Sequence, residues 1–153
     1  MDYEIVYLEE KNVAGLKIRT SNSDPNMVNS IGGLWQEFFT KGIYQSIPNK
    51  YNDKSIGLYT NYESDDQGEY DMMVCCEVIN SSKLPVGVYP QMIPAGKYAK
   101  FVVKGDMQKV VAEFWTKLWS MNLDRKFSSD FEEYQSGSDN IVEIHIYIAL
   151  NSN

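Results

Sequence analysis

A single histidine, His145, and two adjacent cysteines, Cys75 and Cys76, are all that the 153-residue sequence offers of the commonest transition-metal ligands. A zinc centre needs three or four such ligands, so no metal site is expected, and with one imidazole a His-paired nucleophile has little support. Neighbours along a strand point to opposite faces, so no vicinal disulfide is expected; both cysteines read as small buried hydrophobes. No apolar run approaches the ~20 residues that span a bilayer, and the acidic N-terminus "MDYEIVYLEE" lacks the basic start and apolar centre of a signal peptide. These absences point to a soluble, cytoplasmic protein without a membrane partner. Lys and Arg number 14 against 21 acids, giving a net charge of -7, and nowhere do the basic residues form a run. Duplex binding depends on neutralising phosphates, so direct contact with nucleic acid is not expected, whereas cations are attracted. No cofactor is expected.

What the chain does have is tyrosine: 11, beside 3 Trp and 6 Phe. Tyrosine covers apolar surface while keeping a polar tip, which suits an amphipathic cavity. Hydrophobic residues at 43% and charged residues at 23% are ordinary for a globular domain, and the length fits one domain spanning 1–153. Residues 3–20 read as extended, broken near Glu9–Asn12. "SDPNMVNSIGGLWQEFFTKG" then opens with Asp24 as N-cap and Pro25 at the first helical position. Met27, Ile31, Leu34, Trp35 and Phe38 form its apolar face, and Gly42 ends it. "SIGLYTNYE" and "EYDMMVCCEVI" make a hairpin across the turn "SDDQG".

The segment "NSSKLPVGVYPQMIPAG", rich in Pro and Gly, reads as a connector, and after it the same order returns. "KYAKFVVKG" is a strand, and "DMQKVVAEFWTKLWSMNL" a helix capped by Asp106. "SDFEEYQ" and "IVEIHIYIAL" form a second hairpin across "SGSDN". Two successive βαββ units, in halves of about 1–80 and 97–150, predict an α+β fold: one curved antiparallel sheet with both helices on one face. In the last strand Val142, Ile144, Ile146 and Ile148 alternate with Glu143, His145 and Tyr147. The aliphatic stripe is expected under the helices, which leaves an acid, an imidazole and a phenol looking the other way. If the hairpin register permits, Glu132 and Tyr134 join them.

Six segments in this order resemble the gyrase-inhibitor-like (GyrI-like) small-molecule-binding domains, which also serve as effector-binding domains of AraC-type and multidrug-responsive transcription regulators. They are "LWQEFF", "GLYTNYESDDQGEYDMMVCCEV", "IPAGKYAKFVVKG", "EFWTKLW", "DFEEY" and "VEIHIYI", and they span nearly the whole chain. The resemblance implies a sheet folded into a groove between the two halves, lined by aromatics, with a buried acid that reads the cationic end of lipophilic ligands. With the alternation of the last strand, that groove is expected on the sheet face away from the helices. Glu132 matches the acid of the family's Phe-Glu-x-Tyr motif, Glu143 a second acid, and Tyr98 the tyrosine of "IPAGKY"; His145 stands where the family has a tyrosine in the final strand. No helix-turn-helix flanks these segments, so a standalone version is expected.

The candidate ligand-binding residues are therefore Glu132, Tyr134, Glu143, His145, Tyr147 and Tyr98, with Tyr59, Tyr62, Trp115 and Trp119 as further candidates. Carboxylates on a strand are ordinarily solvated, but the neighbours here are aromatic rather than Lys, Ser or Thr. Trp115 and Trp119, four apart on a helix, have normal core spacing and read first as core, with a place in a pocket wall left open. Trp35 reads as core, and a lone histidine such as His145 is more often packed than catalytic. The leading function is binding of lipophilic, cationic small molecules by a sensor, effector-binding or sequestering protein. The alternatives are a hydrolase of cyclopropanoid-type electrophiles with Glu132 as general base, and a protein-interaction role such as inhibition of DNA gyrase.

Overall fold

The computed structural model describes residues 2–65, 67–135 and 141–152. Within them lie β1 (Glu4–Leu8), β2 (Lys11–Ser21), α1 (Met27–Thr40), α2 (Ile43–Ser46), β3 (Ser55–Thr60) and β4 (Glu69–Val78). The second half supplies β5 (Tyr89–Ile93), β6 (Gly96–Asp106), α3 (Met107–Trp119), β7 (Ser129–Tyr134) and β8 (Ile141–Ala149). All strand pairs described are antiparallel, in the order β1-β6-β8-β7-β3-β4-β2-β5. The fold class expected from the sequence, α+β with one curved antiparallel sheet, is the one observed.

The two halves exchange their first strands. β1 pairs with β6 of the second half, and β5 with β2 of the first. Only Glu9 and Glu10 join β1 to β2, and only Pro94 and Ala95 join β5 to β6. In the sheet order each of these pairs of strands is six steps apart. Six steps in a flat sheet would cover ~29 Å, whereas two intervening residues reach at most ~11 Å. The sheet must therefore curl until its ends meet, and the inside of the curl is filled. Val13, Ile56, Leu58, Met73, Ile93, Tyr98 and Phe131 form one buried cluster there, with Val6 and Leu8 packed against it.

The two long helices, α1 and α3, lie on the outside of the curl. α1 seats Leu34 and Phe38 on Ala14, Leu16, Met72 and Val74 of β2 and β4. α3 seats Phe114 and Leu118 on Ala99, Phe101, Ile144, Ile146 and Ile148 of β6 and β8. Between the two helices run β7 and β3, paired with each other at the centre of the sheet.

Three local expectations are corrected. α1 begins at Met27 with Asn26 as its N-cap; Asp24 instead accepts the Asn26 N–H at 2.8 Å in a turn before the helix. The Pro-rich connector contains β5, whose Pro90 lacks an N–H and is tolerated because β5 is an edge strand paired only with β2. The groove expected on the face away from the helices is absent from the middle of that face, because the curl closes it around its own side chains. The expected ends do hold at Gly42, left-handed at φ 70° after α1, and at Asp106, which accepts the Lys109 N–H at 3.3 Å. The turn expected at 136–140 lies outside the described residues. Among the described residues no helix is long and apolar enough to cross a membrane.

Candidate functional site

The register of β7 against β8 decides where the acid points. Glu132 pairs with Ile146 and Tyr134 with Ile144, so both stand on the helix-bearing face beside the aliphatic stripe. On the other side of β7, Glu132 pairs with Gly57 of β3, and Tyr59 lies two residues further along the same face. The acid thus sits at the centre of the sheet, between α1 and α3.

Glu132 is 1% exposed. Its Oε2 accepts hydrogen bonds from the Tyr59 hydroxyl at 2.9 Å and the Trp115 indole N–H at 2.8 Å, and its Oε1 accepts one from the Tyr134 hydroxyl at 2.9 Å. No salt bridge reaches it among the described residues. Aromatic rings close the surroundings: Tyr59 meets Trp115 edge-on at 5.2 Å, and Trp35 meets Tyr134 edge-on at 5.0 Å. Tyr70 adds a ring 5.8 Å from that of Tyr59. Gly57 forms the floor. A Cβ there would stand 3.0 Å from Glu132 Oε1 and 3.1 Å from Trp35 Cζ2, so the acid and the indole both lie close over β3 only because no side chain intervenes.

Burial pushes the Glu132 carboxyl above its ordinary value, and the three donors, Trp115 foremost, pull it partly back. The hydroxyls of Tyr59 and Tyr134 are pushed far up, first by burial and then by the Glu132 charge, so they remain donors. Chemically, the result is a carboxylate in a dry aromatic setting, held by neutral dipoles and not by a cation.

Two residues along β7 the situation is reversed. Asp130, 0% exposed, accepts from Arg125 Nη2 at 2.9 Å, from the Tyr62 hydroxyl at 2.6 Å and from the Ala149 N–H at 2.8 Å. That acid is paired and satisfied, which gives Tyr62 a structural partner rather than a place on Glu132.

Of the residues expected to line a site, the structure brings together Glu132, Tyr134, Tyr59 and Trp115. It does not bring Glu143, His145, Tyr147 and Tyr98 to them. His145 pairs with Glu133 and Tyr147 with Phe131, one residue out of phase with Glu132, so these four face into the curl. There Tyr147 stacks on Phe131 at 4.6 Å, and the Tyr98 hydroxyl donates to the Pro94 carbonyl at 2.7 Å. His145 Nε2 lies 2.7 Å from Glu143 Oε2, and Lys104 Nζ lies 3.5 Å from Glu143 Oε1, near the open end of the sheet. The His145 contact foremost, together with Lys104, holds the Glu143 carboxyl below its usual range. Trp119 is 52% exposed on α3, outside the site. As expected, His145, Glu143 and Tyr147 share one face; that face is not the one that carries Glu132.

Three residues of the site were not singled out for it from sequence: Trp35, Gly57 and Tyr70. A signal for Trp35 was present. Leu34-Trp35 with Phe38, and Phe114-Trp115 with Leu118, repeat one spacing in the two helices, and in each the flanking pair is core while the tryptophan turns toward the acid. Among the described residues no group of three or more His, Cys, Asp or Glu side chains could hold a metal ion.

Residues 4–150 match the family described as Cass2, integron-associated effector binding protein. The chain belongs to this family. It is similar to the Vibrio cholerae integron cassette protein VCH_CASS2, with 31% identity, a TM-score of 0.78, and coverage of 97% of this chain and 95% of that one. YobU of Bacillus subtilis (strain 168), by its name a candidate transcriptional regulator, is 31% identical over 154 residues, covering 95% of this chain and 96% of that protein. The structure of SAV2435 bound to tetraphenylphosphonium shares the fold, with a TM-score of 0.76 at 22% identity and coverage of 97% and 94%. Effector binding, the coarse role expected from the six segments, is what the Cass2 family description states.

Proposed function

We propose that this effector-binding protein takes lipophilic, cationic small molecules between α1 and α3, with Glu132 as their counter-ion. The observation that carries the reading is the buried Glu132 carboxylate, solvated by three neutral donors with no salt bridge among the described residues. Such a group is costly to keep charged, and an incoming cation relieves that cost where water does not screen the attraction. Trp35, Tyr59, Trp115 and Tyr134 offer ring faces, each adding about 0.5–2 kcal/mol of cation–π attraction. Because Glu132 is covered, entry requires the indole of Trp35, which supplies none of the three hydrogen bonds to the acid, to withdraw. SAV2435, which shares this fold, holds a tetra-aryl cation, and the net charge of -7 favours the same sign of ligand.

In this reading the whole chain acts as one domain, with the halves 1–80 and 97–150 each contributing one helical wall. A sensor or sequestering role in the cytoplasm follows as part of the same proposal. Counter-ion chemistry is favoured over general-base chemistry by the hydrogen bonds themselves. Oε2 already accepts two, so both of its lone pairs are occupied before any water could be deprotonated there.

Titration with tetraphenylphosphonium and with tetraphenylborate, ions of one shape and opposite charge, tests the reading through tryptophan fluorescence. The phosphonium is expected to saturate a Trp115-dependent signal and the borate to leave it unchanged. Equal binding of the two ions would remove the acid from the account.

A further inference from the structure

Resting on the counter-ion reading above, we propose that the donors around Glu132 make the site select onium cations without N–H groups over ammonium cations of the same shape. A carboxylate has about four lone-pair positions. Tyr59 and Trp115 fill both of those on Oε2, and Tyr134 fills one on Oε1. Oε1 also lies close over Gly57, where a Cβ would be only 3.0 Å away, and the whole residue is 1% exposed. A further donor therefore has no open approach to the carboxylate.

The consequence differs for the two classes of cation. An ammonium ion leaves behind the water bonded to its N–H groups and regains a bond to Glu132 only by breaking one that Tyr59, Tyr134 or Trp115 already makes. Unpaired N–H groups in a dry aromatic site are costly. A phosphonium or quaternary ammonium has no N–H to leave unpaired, and it is attracted to the carboxylate through its carbon shell without displacing any donor. The tyrosine hydroxyls and the indole thus act as built-in competitors for the lone pairs. Burial and the neighbouring charge keep Tyr59 and Tyr134 protonated and able to compete. Gly57 completes the arrangement by letting Glu132 settle against the β3 backbone, since its own φ demands no glycine.

Methyltriphenylphosphonium and triphenylmethylammonium form a matched pair, with three phenyl groups on a central atom that carries CH3 in one ion and NH3+ in the other. Isothermal titration at a pH where the amine is protonated should show the wild-type protein binding the phosphonium at least tenfold tighter. Ammonium is the more strongly hydrated ion in any site, so the deciding readout is how this ratio changes on Tyr134→Phe, which vacates one lone pair and keeps the ring beside Trp35. The ratio should fall at least threefold in that variant, and likewise in Tyr59→Phe, the second variant should the first fold poorly. A wild-type preference smaller than tenfold, or one that both variants leave unchanged, overturns the selection. Glu132→Gln separates this from the reading beneath it. Unchanged phosphonium affinity in that variant removes the counter-ion itself, whereas loss of both ions with no wild-type preference removes only the selection.

Discussion

At the scale of the residue, Glu132 and Asp130 show how two buried carboxylates on one strand face are kept for different ends. Asp130 has a guanidinium at 2.9 Å and is neutralised in place, while among the described residues Glu132 has only neutral donors and no cation to compensate its charge. Breaking the first arrangement should be a stability event: Arg125→Met strands a buried anion and is expected to cost about 3–5 kcal/mol in urea unfolding, with Asp130→Asn/Arg125→Met recovering part of it. The second arrangement makes a pH statement. The folded-state pKa of Glu132 is raised, chiefly by burial, above the unfolded value of about 4.3. Its contribution to stability is fully present below that unfolded value and is lost as pH rises through the folded value. Glu132→Gln stays neutral throughout, so its Tm relative to wild type should climb with pH across this window and then level off. A difference in Tm that is flat from pH 4 to 8 would show that the carboxyl is not raised. The same raised pKa means that cation affinity should weaken as pH falls into the window, since the protonated acid offers no charge.

At the scale of the element, the end of α1 and the start of α3 carry signals that the sequence states openly, whereas the start of α1 does not. Asp106 accepts the Lys109 N–H at the start of α3, and Asp106→Ala should lower stability by about 1 kcal/mol, read as a shift of the urea midpoint. A comparable loss, about 1 kcal/mol, is expected for Gly42→Ala, because φ 70° puts a Cβ in the left-handed region. The helical spacing of Leu34 with Phe38 and of Phe114 with Leu118, and the alternation in β8, were legible for the same reason: burial writes its period into the chain. Register was not legible. Glu132 and Glu133 are neighbours, and a shift of one residue in how β7 meets β8 exchanges which of them faces the helices. That shift depends on the connection at 136–140 and on packing across the sheet, neither of which is stated by residue type. This is why residue alternation alone groups Glu132 and Tyr134 with Glu143, His145 and Tyr147, although the register puts the two sets on opposite faces. β5 was hidden by Pro90, a residue that speaks against strands except at an edge.

At the scale of the whole molecule, the exchange of β1 and β5 between halves is what places the site. The two-residue links Glu9–Glu10 and Pro94–Ala95 force the sheet to curl, the curl fills its own interior, and the helices are left outside with the central strands β3 and β7 between them. Removing residues 1–8 should therefore do more than trim an edge. It uncovers the β6 edge and takes Val6 and Leu8 from the interior cluster, and the shortened chain is expected to lose cooperative thermal unfolding. Retention of the full Tm would mean that the seam is not needed to hold the curl. The central claim, that this curled frame presents one uncompensated acid to a cation, is tested most directly by calorimetric titration of wild type and Glu132→Gln with tetraphenylphosphonium at neutral pH. Gln keeps the size and the acceptor oxygen and removes the charge. The account predicts a loss of about 2–4 kcal/mol, roughly 30- to 1,000-fold in Kd, with Glu143→Gln unchanged because Glu143 lies on the opposite face. Equal affinities for wild type and Glu132→Gln would contradict it.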